Sequence, residues 1–201
     1  MRPYLVIDLE ATCDDGPLVP RGQMEIIEIG AVLVDGADLI PIATFQTFVR
    51  PVRHPRLTPF CVGLTTIQQA DVDAAPRFPE ALAALTRFMQ QGQPPGDPPP
   101  LFASWGRYDR GQFELDARLH GVTLPFGGEH LNLKQAFSDR LGTRKLFGMH
   151  RALARSGLRL DGTHHRGLDD ARNIAKLLPF CVGAFALPPP PAGWRSAHPA
   201  A

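Results

Sequence analysis

Three apolar, β-branched runs open the chain: Tyr4 to Glu10, Glu25 to Val34 and Leu39 to Val49, the last two flanking the turn signal Asp35-Gly36. They predict a three-stranded antiparallel start. The period then lengthens, because Phe78, Leu82, Leu85 and Met89 recur at helical spacing and predict a helix from Phe78 to Met89. A short strand-like run, Leu101 to Trp105, follows it. Tyr108 to His120, Leu133 to Leu141, Leu146 to Ser156 and Gly167 to Leu178 all accept helical periodicity, with Gly121, Gly142 and Gly157 placed as C-terminal stops. The pattern as a whole predicts an α/β fold, a mixed sheet with helices on its faces.

Composition adds boundaries to this picture. The 201 residues are of single-domain size, and 44% of them are hydrophobic, enough for a sizeable core. The run Gln90 to Pro100 (QQGQPPGDPPP) reads as a surface loop. The Pro-rich residues 184–201, most marked from Leu187 onward, read as a tail that trails off or drapes over a domain of residues 1–183. Lys and Arg number 21 against 20 Asp and Glu, so the formal charge of +1 offers no global field for a polyanion. A nucleic-acid substrate would be gripped locally. Cys13, Cys61 and Cys181 are widely spaced without a CxxC pair, which argues against a disulfide framework or zinc knuckle and fits a reducing compartment. The first apolar stretch is broken by Asp8 and Glu10 too early for a signal peptide, and no run approaches membrane-spanning length. The expectation is a soluble, cytoplasmic protein.

The candidate chemistry is acidic. Residues two apart on a strand face the same way, so Asp8 and Glu10 project side by side. They either turn a polar face to water or share a divalent cation, and hard oxygen ligands of this kind suit Mg²⁺ or Mn²⁺. A second cluster, His164-His165-Arg166-Gly167-Leu168-Asp169-Asp170, opens the last helix. On a 3.6-residue period Asp169 shares a face with Arg172, Asn173 and Lys176, whereas Asp170 shares one with Ile174 and Leu177. Asp169 is expected to be solvated and Asp170 to face inward, where a carboxylate needs a partner. Capping of the helix is the competing role for either acid. Asp109 stands at a strand-to-helix junction, where it is either an N-cap or a further member of the acidic site. Tyr108 beside it is a candidate for core packing.

Taken together these residues resemble the DEDD exonucleases, in the DnaQ-like (DEDDh) branch with a histidine before the last aspartate. The similarity runs from residue 4 to 180. It includes DLEAT at Asp8 to Thr12 with EIIEIGAVLVD after it, FCVGLTTIQQADVDAAPRFPEAL from Phe60, SWGRYD ending at Asp109, Leu131 to Lys134, and HRGLDDARNIAKL from His165. The pattern looks most like the branch of the ERI-1 and histone-mRNA exonucleases and of the KapD-like proteins. The resemblance implies an RNase H-like mixed five-stranded sheet flanked by helices. It implies a metal-dependent 3′-to-5′ exonuclease, acting on the free 3′-hydroxyl end of single-stranded RNA or DNA, RNA favoured, and releasing nucleoside 5′-monophosphates.

It also implies two divalent ions held by Asp8, Glu10, Asp109 and Asp170, roughly 3.5–4 Å apart. Asp8 would bridge both, Glu10 and Asp170 would complete the nucleophile-side ion, and Asp109 would support the other. His165 would be the base. Ala11 and Thr12 are implied to meet the terminal sugar and Leu64 its base, on which Tyr108 would stack if it does not pack in the core. The sequence departs from the family pattern between Thr12 and Glu25, which implies a differently shaped approach. A DNA-proofreading or oligonucleotide-degrading exonuclease is the alternative within the class. A non-catalytic nucleic-acid-binding protein on the same fold is the alternative outside it.

Overall fold

Strand β1 (Tyr4–Ala11) divides its side chains between two layers. Leu5, Ile7 and Leu9 enter one core with Phe78, Leu85, Phe102 and Phe113, whereas Val6 enters a second with Phe137, Ile174 and Leu177. Asp8 and Glu10 continue the face of Val6 beyond the end of that second core. The computed structural model describes residues 1–91 and 96–190. Of the expected Pro-rich loop, residues 92–95 lie outside the described residues, as does the tail from 191.

β1 pairs antiparallel with β2 (Ile26–Val34), which pairs antiparallel with β3 (Pro41–Phe48). Helices α1 (Pro59–Thr65), α2 (Gln69–Asp73) and α3 (Phe78–Gln90) follow. β4 (Leu101–Ser104) then runs parallel to β1 on its other side and leads into α4 (Tyr108–His120). β5 (His130–Asn132) runs parallel to β4 and closes a five-stranded sheet of order β3-β2-β1-β4-β5. Helices α5 (Leu133–Arg140), α6 (Met149–Arg155) and α7 (Gly167–Cys181) complete the chain. Residues of α3 and α4 fill the first core, and residues of α5, α6 and α7 fill the second. The sheet is thus covered on both faces.

The expected α/β class and the antiparallel start are observed, and the three glycine stops at Gly121, Gly142 and Gly157 all adopt positive φ. Four features depart from the sequence reading, one of them the three-residue strand β5. Helix α1 was not foreseen although Thr58 caps it by accepting from the Cys61 N–H at 3.0 Å and Pro59 occupies its first turn, a start signal that was present in the sequence. α2, of five residues, is too short to show a period. α7 continues through Pro179, because the loss of one backbone donor is offset by burial of Leu177, Leu178, Pro179 and Cys181. After α7 the chain folds back: Leu187 packs on the second core, and Arg155 donates to the Pro188 carbonyl at 2.6 Å. Among the described residues no helix is long and apolar enough to cross a membrane.

One close approach decides where α7 sits. A Cβ on Gly30 would fall 2.0 Å from the Gly167 carbonyl carbon, backbone that cannot yield without moving the helix. Gly30 lies opposite Asp8 in the sheet register. The bare backbone of β2 therefore lets the first turn of α7 descend beside the strand acids. Gly30→Ala is expected to destabilise the fold by about 1–3 kcal/mol or more through overpacking, read as a lowered urea midpoint. A wild-type midpoint would remove this account of the helix position.

Candidate active site

Asp8 and Glu10 stand side by side on β1, and α7 brings Asp170 over them, so that oxygens of all three lie within 4.8 Å of one another. The fourth acid comes from the other side of the strand end. Asp109 is the second residue of α4, whose N-cap is Arg107; its Oδ1 accepts the Leu9 N–H at 3.1 Å, between the two strand acids. Asp109, Glu10 and Asp170 are buried. The assembly lines a cleft of about 340 Å³, to which Leu9, Ala11, Leu64, Tyr108 and His165 also contribute.

The carboxylates gathered in the cleft oppose the ionisation of Asp8 and Glu10. Burial, then Asp170, Glu28 and Asp109, push Glu10 up to about 8. Burial, then Asp109, Glu10 and Asp170, raise Asp8 well above the carboxylate range. Burial lifts Asp109 to about 6 against the pull of the Leu9 N–H and the Ser104 hydroxyl. Such a set is costly as bare anions and fits a hard divalent cation, which supplies the missing positive charge.

At the entrance to α7 the chain turns through His165 in the left-handed region, φ 63°. Its N–H donates to Asp170 Oδ2 at 2.9 Å, and the His164 ring bonds the same oxygen through Nδ1 at 2.9 Å. The two imidazoles stack with centroids 3.9 Å apart. Burial, then His164, hold the His165 pKa below its ordinary value, so the ring is neutral at pH 7 and free to accept a proton. Asp169 points away from this group, accepts the Thr163 N–H at 2.9 Å and stands 3.6 Å from Arg172.

The helix entrance is anchored from the sheet. Glu28, fully buried on β2 and opposite Glu10 in register, accepts the Gly167 N–H at 3.0 Å and also bonds Arg166 and Gln46. Sequence reasoning passed over Glu28, although a lone acid within the otherwise apolar run IIEIGAVLV was a usable signal. It also left His164 aside, whose contact with Asp170 depends on the turn at His165. Cys13 and Ile174 also line the cleft, and Met24, Trp105 and Met149 join them without any local sequence signal. Met24 comes from the segment between Thr12 and Glu25. Tyr108 and Leu64 stand partly exposed at the cleft, so Tyr108 is not a core side chain. Thr12 lies outside the cleft lining: its N–H donates to Glu25 O at 2.8 Å and its hydroxyl accepts from the Glu25 N–H at 2.9 Å.

A mixed five-stranded sheet between helical layers, with acids converging from β1, α4 and α7 at a strand end, is the RNase H-like exonuclease fold. The exonuclease family RNase_T matches residues 5–178, and the chain belongs to that family, in its DEDDh branch. ERI1 exoribonuclease 3 of Mus musculus is 34% identical over 182 residues, which cover 87% of this chain and 52% of that protein. The probable 3′-5′ exonuclease KapD of Bacillus subtilis is 32% identical over 174 residues, covering 86% of this chain and 81% of that one. The crystallographic structure of the nuclease domain of 3′hExo, a DEDDh family member bound to rAMP, superposes with a TM-score of 0.80 at 28% identity, covering 94% of this chain and 97% of that domain. The chain spans about half the length of the ERI1 relative.

Proposed function

We propose that this chain hydrolyses single-stranded nucleic acid, RNA in preference to DNA, from a free 3′-hydroxyl end, releasing nucleoside 5′-monophosphates. The observation that carries the reading is the convergence of Asp8, Glu10, Asp109 and Asp170 in one cleft with a neutral His165 beside them. Relatives named as 3′-5′ exoribonucleases in Mus musculus and Homo sapiens support the preference for RNA. The domain of residues 1–183 carries this activity and residues 184–201 form the tail. The free thiols of Cys13, Cys61 and Cys181 favour a reducing, cytoplasmic setting.

Asp8, Glu10, Asp109 and Asp170 would hold two divalent ions, Mg²⁺ or Mn²⁺. When bound, these supply the positive charge that offsets the attacking and leaving oxygens of an in-line displacement at phosphorus. The protein's own groups do the remainder. His165 takes the proton of the attacking water, and its neutral state at pH 7 makes it competent to do so. Leu64 and Tyr108, partly exposed at the cleft, receive the terminal base, an apolar and sequence-tolerant contact. Ala11 lies on the floor beside Glu10, where the terminal sugar would rest.

The test uses 5′-labelled RNA and DNA strands of equal sequence, each with a 3′-hydroxyl or a 3′-phosphate. Stepwise shortening of the hydroxyl-ended RNA in Mg²⁺ is expected, with the blocked strand and EDTA-treated samples intact. Equal degradation of blocked and free ends defeats end recognition, and full activity in EDTA defeats the metal.

The raised carboxylates carry a stability prediction. Unfolded, Glu10 ionises near its ordinary 4.5, but in the fold only near about 8; Asp109 moves from 3.8 to about 6. Between those values the unfolded chain binds fewer protons than the native one, so stability falls as pH rises through the window. Metal-free protein is expected to melt lower at pH 8 than at pH 5, and Mg²⁺ or Mn²⁺ at pH 8 to restore the difference by binding only the folded form. A melting temperature indifferent to both pH and metal would contradict the cluster's electrostatics.

A further inference from the structure

The nearly neutral total charge conceals a strong division. Residues 140–160 hold six of the 21 Lys and Arg and not one Asp or Glu, leaving fifteen cations against all twenty acids elsewhere. The structure sets this basic stretch against the wall of the active-site cleft. Trp105, which lines the cleft, donates its indole N–H to the Phe147 carbonyl at 3.0 Å and so pins the loop that bears Arg144 and Lys145. Met149, at the start of α6, lines the same cleft.

Two further cations join from the β4–α4 turn. A Cβ on Gly106 would meet Lys134 Cδ at 3.8 Å, so the Lys134 stem runs along the turn that carries Arg107. Arg107 is exposed, directly precedes Tyr108 and Asp109, and its field reaches the His130 ring at the start of β5. Among the described residues, none of Arg107, Lys134, Arg144 and Lys145 pairs with a carboxylate; the ion pairs involve other cations. Arg53, which is not among the residues lining the cleft, differs: its charge acts on Asp116, and its own N–H donates to Glu25 at 2.7 Å.

We propose that Arg107, Lys134, Arg144 and Lys145 form a phosphate-binding shelf along the Trp105–Met149 wall. It takes the backbone of the single strand upstream of the 3′-terminal nucleotide. This rests on the exonuclease reading of the cleft. Its physical reason is that the acidic floor repels a polyanion, so a strand of several phosphates needs unpaired cations next to that floor, and this wall supplies them. The shelf reads backbone, not base, so it gives length dependence without sequence preference.

Binding of a 5′-fluorescein single-stranded RNA 12-mer is measured in EDTA across 50–200 mM salt, for the unsubstituted protein and for Arg107→Gln/Lys134→Gln/Arg144→Gln/Lys145→Gln. Each cation that holds a phosphate contributes about 0.7 to the slope of log affinity against log salt for a single strand, and the fourfold variant is expected to lose that amount per residue. The two double variants, Arg107→Gln/Lys134→Gln and Arg144→Gln/Lys145→Gln, are each expected to lose about half as much, which covers the case in which the fourfold variant does not fold. With Mg²⁺, the ratio of kcat/KM for the 12-mer to that for a dinucleotide, which has no upstream phosphate, is expected to fall about tenfold or more. An unchanged slope and ratio in folded variants overturn the shelf, as does the same loss from Arg53→Gln/Arg56→Gln, two exposed cations outside the shelf, which would mean that the strand is held elsewhere. If the unsubstituted protein cleaves neither substrate, it is the exonuclease reading that fails, and the salt slopes in EDTA still decide the shelf.

Discussion

Asp170→Asn is expected to lose metal-dependent cleavage by at least about 10²–10³-fold, the scale on which removing one preorganised charge-stabilising group acts, while Asp169→Asn keeps most of the rate. The two acids are neighbours in sequence and have the same chemistry, so only their placement separates them. Asp170 is buried with its oxygens within 4.8 Å of those of Asp8 and Glu10. Exchange for an amide keeps an oxygen to accept the His165 N–H, so the helix entrance persists, but it removes a carboxylate from a cluster that fits divalent cations. Asp169 accepts the Thr163 N–H and stands 3.6 Å from Arg172, with 30% of its side chain exposed. Its loss is worth about 1 kcal/mol of turn and capping energy and registers in melting, not in rate. Cleavage rates and Mn²⁺ titrations of both variants decide it. An inactive Asp169→Asn beside an active Asp170→Asn would transfer the site to the wrong face of α7.

His165→Ala is expected to lower the rate about 10²–10⁴-fold, the usual contribution of a general base, while leaving metal affinity close to wild type. The pH profile carries the distinctive part. Burial and the stacked His164 hold the His165 pKa below its ordinary 6.5, so the wild-type rate should rise through that acidic range and level off once the ring is neutral. The variant should lack that limb. His164→Ala supplies the comparison, because His164 bonds Asp170 at 2.9 Å and stacks on His165 without being the assigned base. Should His164→Ala lose the acidic limb and His165→Ala retain it, the base assignment would pass to His164.

Much of this site was legible along the chain because its members obey local periods. The alternation of β1 put Asp8 and Glu10 on one face, and the 3.6-residue period of α7 distinguished Asp170 from Asp169; both placements reappear in the structure. Two of the elements missed were of a different kind. α2 spans five residues and β5 three, lengths at which neither period can repeat, and β5 exists only because β4 offers it an edge. Glu28 showed as an acid in an apolar strand, but its partners, Gly167 and Arg166, come from the far end of the chain.

What the sequence by itself determined is therefore the identity of the acids and the faces they occupy, since strand alternation and helical period follow from backbone geometry and need no distant partner. Only the tertiary structure decided that these faces meet. The contact of Gly30 with Gly167 lowers α7 onto the strand end, Asp109 arrives through the Leu9 N–H, and Trp105 pins the basic loop beside the cleft. Each of these joins residues far apart in the chain, and the steric and hydrogen-bonding terms that select them arise only when the layers pack.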